Sequence, residues 1–271
     1  MKHRNIVISF ICLILMVCSL PVNAQRVAII GDSNTWLGGD DNKGEKGWNH
    51  WFCEYFKPDF CISFARSGAT WTNTARTQLN TKENIGSLGD NNVAYNQLQR
   101  ILAEPELKPD VVIIALGTND LWFKNKRPNL FAESHLDYEN EGFLSTPPNK
   151  LLTLSDCVNH TVRSLRKAYP NVTIVFIAPA ECIHVKNSEL TRLGNALEEL
   201  GRTLEVSTIR LDKLSEIKSD KERIKKEFTY DGTHTSVKGA KSNGEIIARE
   251  LKRILQSDSV NSSILDSNKT E

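Results

Sequence analysis

The sequence predicts an α/β fold with a mostly parallel sheet of five strands, and three observations support this prediction. Five short apolar runs alternate along the chain with longer segments whose apolar residues have helical spacing. Some of these runs are apolar throughout, as in strands that helices cover on both faces. The 271 residues show no internal repeat or shift in composition, so residues 25–256 are predicted to form one domain.

The strands are predicted from runs that are rich in β-branched residues. In chain order they are residues 27–30 (VAII), 60–65 (FCISFA), 111–116 (VVIIAL), 172–178 (VTIVFIA) and 206–211 (VSTIRL). The third contains no polar residue, which is typical of a parallel strand buried on both faces. The fifth is less apolar, because serine, threonine and arginine interrupt it.

The helices are predicted at residues 48–56, 93–102, 151–169, 190–204 and 236–255. The third stops before Pro170, because a proline inside a helix removes a hydrogen bond and clashes with the preceding turn. The last places Ile246, Ile247 and Leu251 on one stripe, which indicates a face turned toward the core. Alternating strands and helices form parallel sheets with right-handed crossovers.

Two segments break this alternation. Residues 122–150 are mixed in charge and contain three prolines, and a connection of this length is usually functional or disordered. We place it as an insertion near the site described below. Residues 257–271 (SDSVNSSILDSNKTE) are predicted to be a disordered polar tail.

Residues 1–24 have the layout of a secretory signal peptide. Lys2 and Arg4 precede an almost unbroken apolar stretch, which ends before the small residue Ala24. A retained anchor helix is the alternative, but the stretch is short for a membrane span of about 20 residues. A lipid anchor at Cys18 is disfavoured by the bulky Val17. We therefore predict a secreted or periplasmic protein with no stable membrane insertion after cleavage.

Charge and cysteine content argue against other classes of protein. The net charge is +1, and it becomes −1 after loss of the two basic residues of the signal peptide (32 basic against 33 acidic residues), so nothing favours nucleic-acid binding. No two cysteines of the mature chain form a CxxC pair, and we predict no metal. These cysteines are either buried thiols or one or two disulfides: Cys53, Cys61, Cys157 and Cys182. The oligomeric state is left open.

Four polar segments mark a candidate site. Ligands of open parallel sheets bind beyond the carboxyl ends of the strands. Three segments follow predicted strands directly and the fourth precedes the last helix: Gly31-Asp32-Ser33, Arg66-Ser67-Gly68-Ala69, Gly117-Thr118-Asn119-Asp120 and Asp231-Gly232-Thr233-His234. Together they supply a hydroxyl, a glycine N–H, a side-chain amide and an Asp/His pair.

These groups are the parts that acyl transfer through a serine requires. The Ser33 hydroxyl needs a base to take its proton, and His234 can act as that base. Asp231 can accept a hydrogen bond from the second ring nitrogen of His234 and stabilise the imidazolium. The backbone N–H groups of Ser33 and Gly68 and the amide of Asn119 are the predicted oxyanion-hole donors.

Each segment also has a purely local explanation. Gly-Asp-Ser and Asp-Gly are common in turns, and the side chain of Asn119 can bond to nearby backbone. The catalytic interpretation depends on the joint occurrence of all four segments in this order. Asp32 is expected to hold its turn rather than to serve as the acid of the triad.

On these segments the sequence resembles the SGNH (GDSL-type) hydrolases, over about residues 26 to 255. The resemblance implies a three-layer α/β/α, flavodoxin-like fold and ester hydrolysis without a metal. It also implies the same triad and the same oxyanion hole. Two positions depart from the family pattern: Arg66 stands where the family often has asparagine, and Thr235 stands where it often has proline. Neither departure removes a catalytic group.

Three tryptophans lie close to the site in the sequence. Trp36, Trp71 and Trp122 each come three residues after a predicted oxyanion-hole residue. They either pack into the first turn of a helix or form an aromatic wall that stacks on sugar rings or holds an aromatic acyl group. The wall is the prediction for substrate binding.

The sequence therefore predicts a secreted serine esterase that forms an acyl-enzyme on Ser33 and removes small O-acyl groups from carbohydrates, with no cofactor. A lipid ester or a thioester is the alternative substrate for the same fold. A catalytically silent glycan-binding module is the alternative from another class, and the complete triad counts against it. A nucleotide-binding protein is disfavoured, because no GxGxxG or Walker pattern follows the first strand.

Overall fold

The computed structural model describes residues 25–81 and 90–267, with side chains up to residue 257. The predicted signal peptide lies outside the described residues. Within them the five predicted strands are all present, and their ends lie within two residues of the predicted ends. They are β1 (Arg26–Gly31), β2 (Phe60–Ser63), β3 (Val111–Ala115), β4 (Thr173–Ala178) and β5 (Ser207–Arg210).

The helices of the described residues include the five predicted ones and four short ones. They are α1 (Ser33–Trp36), α2 (Trp48–Phe56), α3 (Ala94–Leu102), α4 (Thr118–Trp122), α5 (Leu154–Ala168), α6 (Asn187–Thr203), α7 (Leu211–Leu214), α8 (Ser219–Ile224) and α9 (Val237–Ser267). Helix α5 begins with a capping box, in which Thr153 and Asp156 satisfy each other's backbone N–H. Three 3-10 helices lie between α4 and α5, at 124–126, 143–145 and 148–150.

The sheet is parallel throughout, with the strand order β2-β1-β3-β4-β5. Ile29 of β1 pairs with Ser63 of β2 and with Ile113 of β3. Gly31 pairs with Ala115, so β1 and β3 end at the same level. The loops after β2, β1 and β3 are therefore neighbours along one edge of the sheet.

Helices cover both faces of this sheet. Ile30, Val112 and Phe176 pack on one face against α3, α5 and α6. Residues of the opposite face, such as Ile29 and Ile113, pack against α2 and α9. Each fully buried side chain of this size contributes about 1.5–3 kcal/mol of transfer free energy. The three-layer α/β/α fold is thus confirmed.

The C-terminal prediction was partly wrong. A disordered tail was expected from residue 257, but α9 continues to Ser267. Its N-terminal half is anchored by the buried residues Ile247 and Leu251. Adding residues to a helix that is already nucleated is easy even for polar residues, because each new residue gains a backbone hydrogen bond.

The described cysteines are free thiols: Cys53, Cys61, Cys157 and Cys182. Cys157 and Cys182 are buried, as the thiol alternative predicted. Cys157 packs with Phe143 and Leu151 in a small core that holds part of the 122–150 insertion. None of the helices described, in either segment of the chain, is long and apolar enough to cross a membrane.

Candidate active site

The nucleophile turn joins β1 to α1. Asp32 caps α1, and its Oδ1 accepts a hydrogen bond from the backbone N–H of Asn34 at 3.0 Å. A Cβ at Gly31 would lie 2.3 Å from Oγ1 of Thr35, so the close approach of strand and helix requires glycine there. Ser33 becomes the first residue of α1 at the carboxyl edge of the sheet. The expectation that Asp32 holds this turn is confirmed.

Three side chains form one hydrogen-bonded chain at this edge. Oγ of Ser33 lies 2.9 Å from Nε2 of His234, and Nδ1 of His234 lies 2.6 Å from Oδ2 of Asp231. An ionised carboxylate can only accept, so Nδ1 carries the proton and Nε2 is free to accept from the serine hydroxyl. The structure thus brings together the three residues that the sequence predicted as a triad.

The loop from Asp231 to His234 is held in shape by the side-chain carboxylate of Asp231. Its Oδ1 accepts from the backbone N–H groups of Thr233 at 2.9 Å and His234 at 2.8 Å. Partial burial favours the neutral acid, but hydrogen bonds from His234 and the backbone outweigh it and lower the pKa of Asp231. Asp231 is therefore ionised at neutral pH, as an acceptor for an imidazolium must be.

Asp32 has the opposite environment. Burial raises its pKa to about 7, although the bond from Asn34 and the attraction of His234 both lower it. A carboxyl with a pKa of about 7 thus lies next to Ser33 in the chain. This residue is buried, with only 5% of its surface exposed.

The predicted oxyanion-hole residues Ser33, Gly68 and Asn119 follow β1, β2 and β3 respectively. Gly68 has φ +73°, in the region that favours glycine. The side chain of Asn92 donates to the carbonyl of Ser67 at 2.8 Å and holds this loop. Asn119 is buried, and its Nδ2 donates to the carbonyl of Ala69 at 3.0 Å. An amide has two hydrogens, so the second can face an oxyanion.

A buried carboxylate of the third polar segment, for which no role was predicted, joins α4 to the loop after β2. Asp120 accepts from the backbone N–H groups of Trp71 at 2.8 Å and Thr72 at 2.9 Å. Burial raises the pKa of Asp120, and the charge of Arg127 opposes this. Arg127, from the 122–150 insertion, also donates to Oγ1 of Thr70 at 3.1 Å. The insertion therefore supports the oxyanion side of the site.

Arg66 explains how the second loop is held without the asparagine that the family often has there. Its guanidinium is buried and pairs with Asp40 at 2.8 Å. It also donates to the carbonyl of Ala65 at 2.6 Å. The loop that carries Gly68 is thus attached to the segment after α1.

The structure excludes one of the three tryptophans of the predicted aromatic wall. Trp71 is fully buried and packs edge-on against Phe176 at 5.4 Å, so it belongs to the core and cannot stack on a substrate. Trp122 is 38% exposed, and its ring stacks on the exposed ring of His184 at 4.5 Å. Trp36 is half-buried on α1.

Sequence reasoning also missed two residues beside the triad. Tyr230 is half exposed, and its ring stacks on that of His234 with the centroids 5.7 Å apart. Glu222 is buried and accepts from the backbone N–H groups of Phe228 and Thr229, both at 3.0 Å. An Asp-x-x-His motif gives no signal for either contact, because both partners lie outside it.

A cavity of about 40 Å³ lies behind the nucleophile turn, lined in part by Asp32, Cys182 and Thr233. This volume suits water molecules and is too small for a sugar or a long acyl chain. Among residues 25–81 and 90–267, no group of three or more histidine, cysteine, aspartate or glutamate side chains is arranged to hold a metal ion.

Comparison with known proteins gives a family and a fold. The model of the GDSL-like lipase/acylhydrolase family matches residues 29–241. A candidate GDSL-like lipase from Bacteroides ovatus is 19% identical, with 85% of this chain and 99% of that chain covered and a TM-score of 0.55. A second candidate GDSL-like lipase, from Bacteroides uniformis, is 17% identical, with 86% of this chain and 97% of that chain covered and a TM-score of 0.54.

A carbohydrate esterase family 2 enzyme with a carbohydrate-binding domain, from Corynascus thermopiles, is 17% identical. The comparison covers 88% of this chain and 68% of that chain, with a TM-score of 0.52. No match was found among curated proteins. At these identities the solved structures establish a shared fold.

Proposed function

The chain belongs to the GDSL-like lipase/acylhydrolase family, and on that premise we propose that it is a serine esterase that works through an acyl-enzyme on Ser33. The observation that carries this proposal is the continuous hydrogen-bonded chain from Ser33 through His234 to Asp231. A serine in an ordinary surface turn has no need of a base at 2.9 Å whose other nitrogen is held by a carboxylate.

Each step can be assigned to this chain's own residues. Oγ of Ser33 attacks the ester carbonyl while Nε2 of His234 takes its proton, and Asp231 stabilises the imidazolium. The negative charge on the carbonyl oxygen faces the N–H groups of Ser33 and Gly68 and the Asn119 amide. His234 then protonates the departing alkoxide. Water, deprotonated by His234, attacks the acyl-enzyme and releases the acid and Ser33.

Hydrolysis of p-nitrophenyl acetate tests the proposal. Ser33→Ala should lower kcat at least about 1,000-fold, because no other group can form the acyl-enzyme. Ser164→Ala is the matched control, since it removes a serine hydroxyl from buried α5 away from the site. Equal turnover by wild type and Ser33→Ala would contradict the proposal and favour a glycan-binding module.

We further propose that the substrate is a small acyl ester on a carbohydrate and that the enzyme acts outside the cytoplasm, as a secreted or periplasmic protein. The exposed stack of Trp122 and His184 supports the first part, because flat aromatic surfaces pack well on sugar rings. The cavity behind Asp32 is too small for the acceptor sugar, which would lie on the open rim. The similarity to a carbohydrate esterase concerns the fold alone. The substrate proposal therefore depends on the exposed aromatic stack of Trp122 and His184.

A substrate screen separates the alternatives. Wild type and Ser33→Ala are compared on acetylated glycans, feruloylated glycans and short lipid esters. Trp122→Ala should raise KM for the preferred glycan ester several-fold and leave the melting temperature nearly unchanged, because the ring is partly exposed. Trp51→Ala, which removes a half-buried tryptophan from α2, is the control. Faster turnover of lipid esters, with no effect of Trp122→Ala, would make a lipid the substrate.

A further inference from the structure

Asn34 connects the nucleophile turn to the loop of residues 229–235, called here the histidine loop, across 201 residues of sequence. Its Oδ1 accepts from the backbone N–H of Thr235 at 3.0 Å. Its Nδ2 donates to the backbone carbonyl of Thr233 at 3.4 Å. These two residues flank His234, so one side-chain amide holds the chain on both sides of the catalytic base.

We propose that Asn34 and Thr235 are a positioning pair that sets the place of His234 relative to Ser33. The inference rests on the proposed function, since positioning has meaning only if His234 acts on Ser33. Ser33 and Asn34 are consecutive residues of α1, so any movement of the nucleophile is passed to the histidine loop. The pair thereby maintains the 2.9 Å separation between Oγ of Ser33 and Nε2 of His234.

Other contacts of the histidine loop have a different role. Thr229 and Thr235 form an antiparallel bridge, and the backbone N–H of Tyr230 donates to the carbonyl of His234 at 3.0 Å. These bonds shape the loop internally. Oγ1 of Thr235 donates to the carbonyl of Lys46 at 2.6 Å and attaches the loop to the segment before α2. The contact of Asn34 is the one that relates the loop to the residue beside the nucleophile.

The hydrogen bond between Asn34 and Thr235 needs an acceptor at position 34 and an N–H at position 235. A leucine at position 34 has no polar atom to accept from position 235. A proline at position 235 has no N–H to donate. Either replacement removes the hydrogen bond between the N–H of Thr235 and Oδ1 of Asn34. In addition, N34L removes the bond to the carbonyl of Thr233, and T235P removes the bond to the carbonyl of Lys46. Asn34 and Thr235 thus form a matched pair in this chain.

A double-mutant cycle on kcat and KM tests this pairing, with p-nitrophenyl acetate as substrate. N34L and T235P should each lower kcat about tenfold and change KM less than about twofold, because a misplaced base slows chemistry without altering ester binding. The N34L/T235P double variant should lose less kcat than the product of the two single losses, because the shared hydrogen bond is lost only once.

Asn159→Leu is the matched control for loss of an asparagine side chain. Asn159 is buried on α5, and its Nδ2 donates to the carbonyl of Ser155 at 2.9 Å. This variant should have a lower melting temperature and keep its kcat. If kcat of N34L is no lower than that of Asn159→Leu, or if the losses of N34L and T235P multiply fully in the double variant, the pairing is overturned. If T235P does not fold, the comparison of N34L with Asn159→Leu decides alone.

Labelling with a fluorophosphonate distinguishes this outcome from failure of the proposed function. Wild type should be labelled on Ser33, and N34L should be labelled about tenfold more slowly, in line with its kcat. An unlabelled and inactive wild type would overturn the esterase proposal itself. A wild type and an N34L variant labelled at the same rate would overturn the positioning pair alone.

Discussion

At the scale of single residues, environment separates two carboxyl groups that lie near the same histidine. Asp231 is held by hydrogen bonds that lower its pKa, whereas burial raises the pKa of Asp32 to about 7. The first remains ionised and can stabilise an imidazolium, and the second caps a helix. If closeness to Ser33 in the sequence were the criterion, Asp32 and not Asp231 would be assigned as the acid of the triad.

Asp231→Asn should lower kcat about 1,000- to 10,000-fold, because an amide can hold the wrong tautomer of His234 and cannot balance its positive charge. KM should change little. Steady-state kinetics on p-nitrophenyl acetate measures both, and circular dichroism verifies that the variant is folded. A loss of less than about tenfold would mean that Asp231 is not the orienting acid.

Asp32→Asn should change the dependence of stability on pH. The folded pKa of Asp32 is above its ordinary value of 3.8, so its ionisation opposes folding. The wild type therefore loses stability from this group as pH rises from about 4 to about 7, and the variant does not. Urea unfolding over this range should show the variant gaining stability relative to wild type. A constant difference would contradict the raised pKa.

At the scale of elements, short loops are held in place by buried polar side chains of other elements. Asp120 of α4 binds the loop after β2, and Glu222 of α8 binds the segment that leads to Asp231. Oγ1 of Thr229, which donates to Glu222, in turn accepts from the N–H of Gly232 at 3.0 Å. Loops of the candidate active site are thus fixed by carboxylates that accept hydrogen bonds from their N–H groups.

Glu222→Gln should destabilise the protein by about 1–3 kcal/mol at neutral pH, because the amide leaves buried N–H groups without an acceptor. Burial raises the pKa of Glu222, but its hydrogen bonds outweigh this and hold the folded pKa below the ordinary 4.5. The stabilisation is present above the unfolded pKa and is lost as pH falls through the folded one. Denaturant unfolding should therefore show the difference shrinking below about pH 4.5, and a difference independent of pH would contradict this.

At the scale of the whole molecule, two hydrophobic layers stabilise the fold, and one edge of the sheet carries the candidate active site. Residues of β1, β3 and β4 alternate between the layers, so both must form for either to be complete. The site lies beyond the carboxyl ends of the strands, where the loops are free to carry polar groups.

Leu165→Ala tests this separation. The side chain is fully buried on α5, so the variant should lose about 2–5 kcal/mol of unfolding free energy. Its kcat should remain within about twofold of wild type at temperatures where it is folded. Urea unfolding with an unchanged m value measures the first, and Lys167→Ala on the exposed side of α5 is the control. A large loss of kcat in the folded variant would show that core and site are coupled.

Much of the fold and of the site could be predicted because it depends on local patterns. Continuous apolar runs identified the strands, and the Gly-Asp-Ser and Asp-x-x-His motifs identified the triad that the structure brings together. Trp71 was misjudged because its spacing from Gly68 says nothing about which way its ring points. The end of α9 was misjudged because polar composition was taken as evidence against a helix.

The sequence by itself determined the order of strands and helices and the identity of the residues that can do acyl transfer, because periodicity and side-chain chemistry are properties of short segments. Only the tertiary structure decided which groups meet: Asn34 with Thr235, Asp120 with the loop of Trp71, and Glu222 with the histidine loop. Hydrogen bonds act over about 3 Å in space regardless of separation along the chain. Such partners become visible only when the sheet has brought its loops to one edge.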